Sequence, residues 1–114
     1  MYPSGQWEGF WVQQELGRQA MTPFFLHFNG SEIEGSGKDI VGRFSFSGTV
    51  DEQTGNIVMV KQYIGRHRVI YRGQPDGEGS IQGTWQIGRF HTGPFLIRPL
   101  FQKPRSDAPI QDMS

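Results

Sequence analysis

Apolar and polar residues alternate along most of this chain. Between residues 41 and 50, Phe44, Phe46 and Gly48 share one side, and Ser45, Ser47 and Thr49 the other. Between residues 80 and 90, Ile81, Gly83, Trp85 and Ile87 oppose Gln82, Thr84 and Gln86. Phe24, Leu26 and Phe28 line up with His27 opposite. A period of two belongs to strands with one dry face and one wet face. No segment carries an apolar stripe at helical spacing, and residues 15–20 hold one helical turn at most.

Glycines and turn pairs divide the alternation into eight pieces: Gln6–Leu16, Ala20–Phe28, Glu32–Ser36, Ile40–Val50, Asn56–Ile64, His67–Gly73, Ser80–Phe90 and Pro94–Lys103. Asn29-Gly30 is the strongest hairpin signal, because both residues tolerate positive φ. From Pro104 to residue 114 the sequence turns polar and proline-containing, so residues 1–103 are expected to form the domain and 104–114 a flexible tail. Eight strands with short connections predict a meander. An open sheet of that size would leave two unpaired edges, and closure removes both. The expected fold is therefore all-β: a single eight-stranded antiparallel up-and-down barrel. Gly9, Gly35, Gly42, Gly48 and Gly83 would serve the bends of its coiled wall. A two-sheet Greek-key sandwich is the alternative, and the short connections disfavour it. A barrel of eight strands either fills with side chains or holds one small ligand.

Composition narrows the classes further. The chain has 114 residues, enough for one domain. Aromatic residues make up 13% at zero net charge, which does not describe a disordered chain. There is no cysteine, so disulfide scaffolds, thiolate zinc sites and cysteine nucleophiles are excluded. No apolar run approaches the ~18 residues of a membrane-spanning helix. The first residues, Met1-Tyr2-Pro3-Ser4-Gly5, lack the pattern of a secretory signal, and a cytoplasmic location is expected. Eleven basic and eleven acidic residues sum to no net field, so neither nucleic acid nor a membrane is an expected partner.

Gly5-Gln6-Trp7 places a Gly-x-Trp at the opening of the first strand. Gly48-Thr49-Val50-Asp51, Tyr71-Arg72-Gly73-Gln74 and Thr84-Trp85-Gln86-Ile87 follow in order. Together, over residues 5–103, they resemble the calycin superfamily of lipocalins, fatty-acid-binding proteins and avidins, in an order most like avidin and streptavidin. The resemblance implies a barrel. It also implies that Trp7 plugs a closed end beneath a basic side chain, Arg98 or Lys103. It does not carry a biotin site: Glu8-Gly9 follows the tryptophan, and Gly35-Ser36-Gly37 stands where that family has a tyrosine.

The candidate chemistry centres on Lys61. It shares a strand face with Ile57, Met59 and Tyr63, although the other face, with Val58 and Val60, is also apolar. If Lys61 points inward its ammonium needs a partner, and Glu32, Glu34 and Asp39 are the candidates. Val69, Tyr71 and His67 are in phase across the next hairpin. Lys61, Tyr63, His67 and Tyr71 with Asp39 would form a polar cluster at one mouth, orienting an anionic or carbonyl-bearing ligand. Trp11, Phe44, Phe46 and Trp85 would supply apolar walls. The alternative is a structural salt bridge beside a solvated strand end. His27, His67 and His91 lie in three different hairpins without metal-ligand spacing, so no metal and no other cofactor is expected. No Gly-x-Ser-x-Gly elbow is present. Arg66-His67-Arg68 with Arg72 makes a small basic patch that suits an anionic small ligand or, beside Tyr63 and Tyr71, a single nucleic-acid strand; the other cations are dispersed. Phe10, Phe25, Ile70, Leu96 and Leu100 fall out of phase, which predicts a homodimer or homotetramer. The expected function is non-catalytic binding of a small, partly apolar molecule inside the barrel. The competing classes are a small calycin-like isomerase, cyclase or decarboxylase, with Tyr63 or Tyr71 as acid and Lys61 or His67 as electrostatic partner, and an oligomerisation module with a filled barrel.

Overall fold

The computed structural model describes residues 2–100 and shows no helix among them. Eight strands follow the chain: β1 Gly5–Gln13, β2 Gly17–Asn29, β3 Glu32–Lys38, β4 Arg43–Val50, β5 Ile57–Tyr63, β6 Arg68–Pro75, β7 Ile81–Ile87 and β8 His91–Pro99. Each pairs antiparallel with its neighbours in sequence, and β1 pairs with β8 from Trp7↔Pro99 to Trp11↔Phe95. The eight-stranded up-and-down barrel is therefore closed and has no free edge. The expected tail, and Lys103, lie outside the described residues.

The alternation decides which faces turn inward. On β4, Phe44, Phe46 and Val50 are buried while Arg43, Ser45, Ser47 and Thr49 are exposed. On β5 the ambiguity resolves towards Ile57, Met59, Lys61 and Tyr63, all buried. β2 would lose its phase at Pro23, but a bulge lies there: the pairing steps from Trp7↔Phe24 to Gly9↔Met21. The extra residue lets Met21 face inward with Phe24 and Leu26. A proline is tolerated at such a point because it has no N–H for the ladder.

Several strand boundaries differ from those the alternation predicts. β4 begins at Arg43 rather than Ile40, because Asp39 N–H bonds to the Gly42 carbonyl and closes a tight turn. Ile40 and Val41 read as strand by polarity, yet they sit in that turn, as does Gly42, which was expected inside a strand. β2 starts at Gly17 rather than Ala20, and β8 at His91 rather than Pro94. The β2–β3 hairpin turns on Gly30-Ser31, one residue later than Asn29-Gly30, since Asn29 still pairs with Glu32. Gly30 takes a φ of 61° there.

Successive loops of a meander alternate between the two ends of the barrel. One end is sealed. Tyr2 donates from its hydroxyl to the Gly55 carbonyl at 2.6 Å, and Trp7 Nε1 donates to the Pro3 carbonyl at 3.0 Å. The Tyr2 ring packs edge to face against Trp7 and Phe28, whose own rings meet at a tilt of 55°, across this end. Trp7 is fully buried, and among the described residues no basic side chain covers it. Arg98 instead points outward and pairs with Glu8 at 2.7 Å, because the two stand opposite each other on the outer face of β1 and β8. The middle of the barrel is packed with Met21, Leu26, Phe46, Met59, Tyr71 and Phe95. Phe25 and Leu100 are exposed outward, while Phe10, Ile70 and Leu96 are half-buried on the outer face, with the Arg18 guanidinium 4.0 Å over Phe10.

Candidate functional site

The other end, the mouth, is formed where β1, β3, β5 and β7 finish and their partners begin. Lys61 lies just inside it with no solvent exposure. Of the three acids considered as partners, Asp39 takes the role: its Oδ2 lies 2.6 Å from Lys61 Nζ, and both side chains are wholly buried. Glu32 and Glu34 are exposed. The Asp39 turn between β3 and β4 folds its carboxylate back over the barrel. Oδ2 also accepts from the Tyr63 hydroxyl at 2.7 Å and from Trp11 Nε1 at 3.1 Å, while Oδ1 accepts from the Val41 N–H at 3.0 Å.

Lys61 Nζ donates further to the Tyr71 hydroxyl at 3.3 Å and to the Met21 sulfur at 3.1 Å. Four rings surround the ammonium, with centroids at 4.3 Å (Phe44), 4.8 Å (Tyr63), 5.5 Å (Tyr71) and 5.7 Å (Trp11). Ring faces attract cations, most strongly where water is excluded. Among the described residues no buried side-chain nitrogen or oxygen lacks a hydrogen-bond partner. The ion pair is thus fully satisfied from within the protein.

Burial nevertheless disfavours the charged lysine and pushes its pKa from 10.5 down to about 8, against the opposing bond and charge of Asp39. For Asp39, burial acts to raise the carboxyl, but the bond and charge of Lys61 outweigh it, with help from Tyr63 and Val41, and hold it below its ordinary value. Tyr63 is raised by burial and by the bond and charge of Asp39. Tyr71 is raised by burial and by the Asp39 charge. Both phenols stay protonated throughout the physiological range.

Above this cluster lies a pocket of about 310 Å³ opening at the mouth. Its walls are Trp11, Tyr63, Tyr71 and Trp85, with Val41, Val69 and Ile87 between them and Gln13, His67 and His91 towards the rim. Trp85 Nε1 donates to the Val12 carbonyl at 2.9 Å, and the Trp11 and Trp85 rings meet edge to face at 6.2 Å. The indole N–H groups of both tryptophans therefore point away into the protein. What the walls offer the pocket is ring surface, the tyrosine hydroxyls being held by Asp39 and Lys61.

Of the residues singled out from the sequence, Trp11, Tyr63, His67, Tyr71 and Trp85 line this pocket. Asp39 and Lys61 do not; they bond the side chains that do. Phe44 and Phe46 stand a layer back, Phe44 edge-on to Tyr63 at 5.9 Å and Phe46 edge-on to Tyr71 at 5.5 Å. Gln13, Val41, Val69, Ile87 and His91 were not anticipated as lining residues, although Val69 reads as in phase with Tyr71. Gln13 and Ile87 are two residues beyond Trp11 and Trp85, so the same alternation pointed to them. Val41 and His91 depend on turn geometry that polarity does not encode. Among the described residues no group of three metal-ligating side chains occurs. The chain matches no family model, and no curated protein is significantly similar to it.

Proposed function

We propose that the protein binds a small, partly apolar molecule, without transforming it, in the pocket at the mouth of the barrel. The observation that carries this reading is the aromatic wall, fixed in place before any ligand arrives. Asp39 and Lys61 bond Trp11, Tyr63 and Tyr71 from behind, and Val12 bonds Trp85. A preorganised wall spares a ligand the entropy of ordering those side chains. The volume sits at the small end of the ~300–1,000 Å³ typical of ligand pockets, which suits a molecule of two or three aromatic rings. His67, His91 and Gln13 supply the few polar contacts at the rim.

The cluster's chemistry favours binding over catalysis. Lys61 is enclosed by Asp39 and four rings, so its amine has no path to a bound molecule. The kinship with calycin barrels belongs to the same proposal, supported by the strand order and by Trp7 closing the far end.

The neutral fluorophore N-phenyl-1-naphthylamine tests the reading. It is expected to bind saturably with enhanced emission. Ile87→Trp, which fills the pocket, is expected to abolish binding, and Val58→Trp on the outer wall to leave it unchanged. Absence of saturable binding, or binding indifferent to Ile87→Trp, would overturn the proposal.

A further inference from the structure

The zero net charge conceals a segregation that the topology creates. Arg18, Lys38, Arg43, Arg66, Arg68 and Arg89 all stand exposed in or beside the four mouth loops, with Glu15 the one exposed acid among them. The sealed end is the reverse. Glu32, Asp51, Glu52, Asp76 and Glu78 stand there, and the one described cation, Arg98, is paired with Glu8.

Each mouth loop also raises one large apolar side chain into solvent. Leu16 is 52% exposed, Ile40 72%, Ile64 67% and Phe90 87%. One falls in each loop, after β1, β3, β5 and β7 in turn. The three loops of the sealed end, at residues 30–31, 51–56 and 76–80, carry no large apolar residue.

We propose that the mouth of the barrel docks on an anionic lipid bilayer, with the four apolar tips entering the interface and five of the six cations facing the headgroups, while the Arg18 guanidinium lies over Phe10 on the outer wall. Apolar tips flanked by cations are the chemistry of an interfacial anchor. The four tips belong to separate loops around a rim and form no groove. A folded partner would need a matching hollow for each, whereas a fluid interface accepts them at any spacing. The charge distribution sets the orientation: an anionic surface attracts the mouth and repels the far end, standing the barrel upright. The barrel wall between the ends exposes Ser45, Ser47, Arg72, Gln82 and Thr84, so the protein rests on the bilayer rather than crossing it. The pocket opens inside the ring of tips, but docking does not depend on anything filling it.

The chain has no cysteine, so Ile64→Cys, Phe90→Cys and Gln53→Cys each provide a single labelling site. The full chain, labelled at each with a nitrobenzoxadiazole fluorophore, is mixed with vesicles of phosphatidylcholine alone or with about one third phosphatidylserine. It is expected to sediment with the anionic vesicles only. The labels at 64 and 90 should brighten and shift to the blue, and the label at 53 should not change. Each cation near such a surface strengthens binding roughly fivefold, so Arg66→Ala, Arg68→Ala and Arg89→Ala combined should weaken it on the order of a hundredfold. Glu52→Gln at the far end should not weaken it. Equal affinity for both vesicle types would overturn the proposal. So would a response at 53 matching those at 64 and 90, or adsorption that leaves the labelled tips in water.

Discussion

At the scale of single residues the unusual element is a lysine enclosed by aromatic rings. It is tolerated because Asp39 lies 2.6 Å away and every polar atom around the pair has a partner. Lys61→Met strands the Asp39 carboxylate and should cost about 3–5 kcal/mol in urea unfolding. Adding Asp39→Asn should recover part of that loss, since no unpaired charge then remains. The pair also sets a pH dependence. Between the folded pKa of about 8 and the ordinary 10.5, the unfolded chain holds more protons on Lys61, so stability rises with pH. Above about pH 10 the unfolded chain releases tyrosine protons that Tyr63 and Tyr71 keep when folded, so stability falls again. The melting temperature should therefore peak near pH 10, and Lys61→Met should abolish the rise while keeping the fall. On the acid side, the contribution of Asp39 is full above its ordinary 3.8 and is lost as pH drops through its lower folded value. That Lys61 shares a face with Ile57, Met59 and Tyr63 was legible in the sequence. That this face is the inner one was not, because Val58 and Val60 make the outer face equally apolar.

At the scale of elements, the curvature of the wall depends on inward-facing glycines that let neighbouring backbones approach. Gly83 is the tightest case: a Cβ there would run into the Arg72 carbonyl and lie 2.6 Å from the Gly73 Cα. Gly83→Ala should cost about 3 kcal/mol, because main chain rather than a flexible side chain must move. Gly30→Ala is a useful contrast. Its nearest neighbour would be 3.9 Å away, so only the positive φ resists, at about 1 kcal/mol. Chemical denaturation of the two variants side by side checks the ranking. The strands and their alternating faces were legible in advance because burial on one face writes itself into polarity. Their ends were less so. Ile40 and Val41 continue the apolar pattern past the point where the Asp39–Gly42 hydrogen bond has already ended the strand.

At the scale of the whole molecule, closure brings β1 to β8 and alternates the loops between a sealed end and an open one. Neither the pocket nor the division of charge belongs to any one segment. Arg66-His67-Arg68 was visible as a basic patch, but Arg18, Lys38, Arg43 and Arg89 read as dispersed until the topology gathered them at one end. The architecture also places the three tryptophans as separate reporters. Trp11 and Trp85 face the pocket, and Trp7 lies at the sealed end against Tyr2 and Phe28. The most direct measurement is a nuclear magnetic resonance titration that follows the three indole N–H signals as N-phenyl-1-naphthylamine is added. The signals of Trp11 and Trp85 should move together and saturate while that of Trp7 stays still. Movement of Trp7 to the same extent, or no movement of Trp11 and Trp85 up to the solubility of the probe, would contradict a preformed aromatic pocket at the mouth of this barrel.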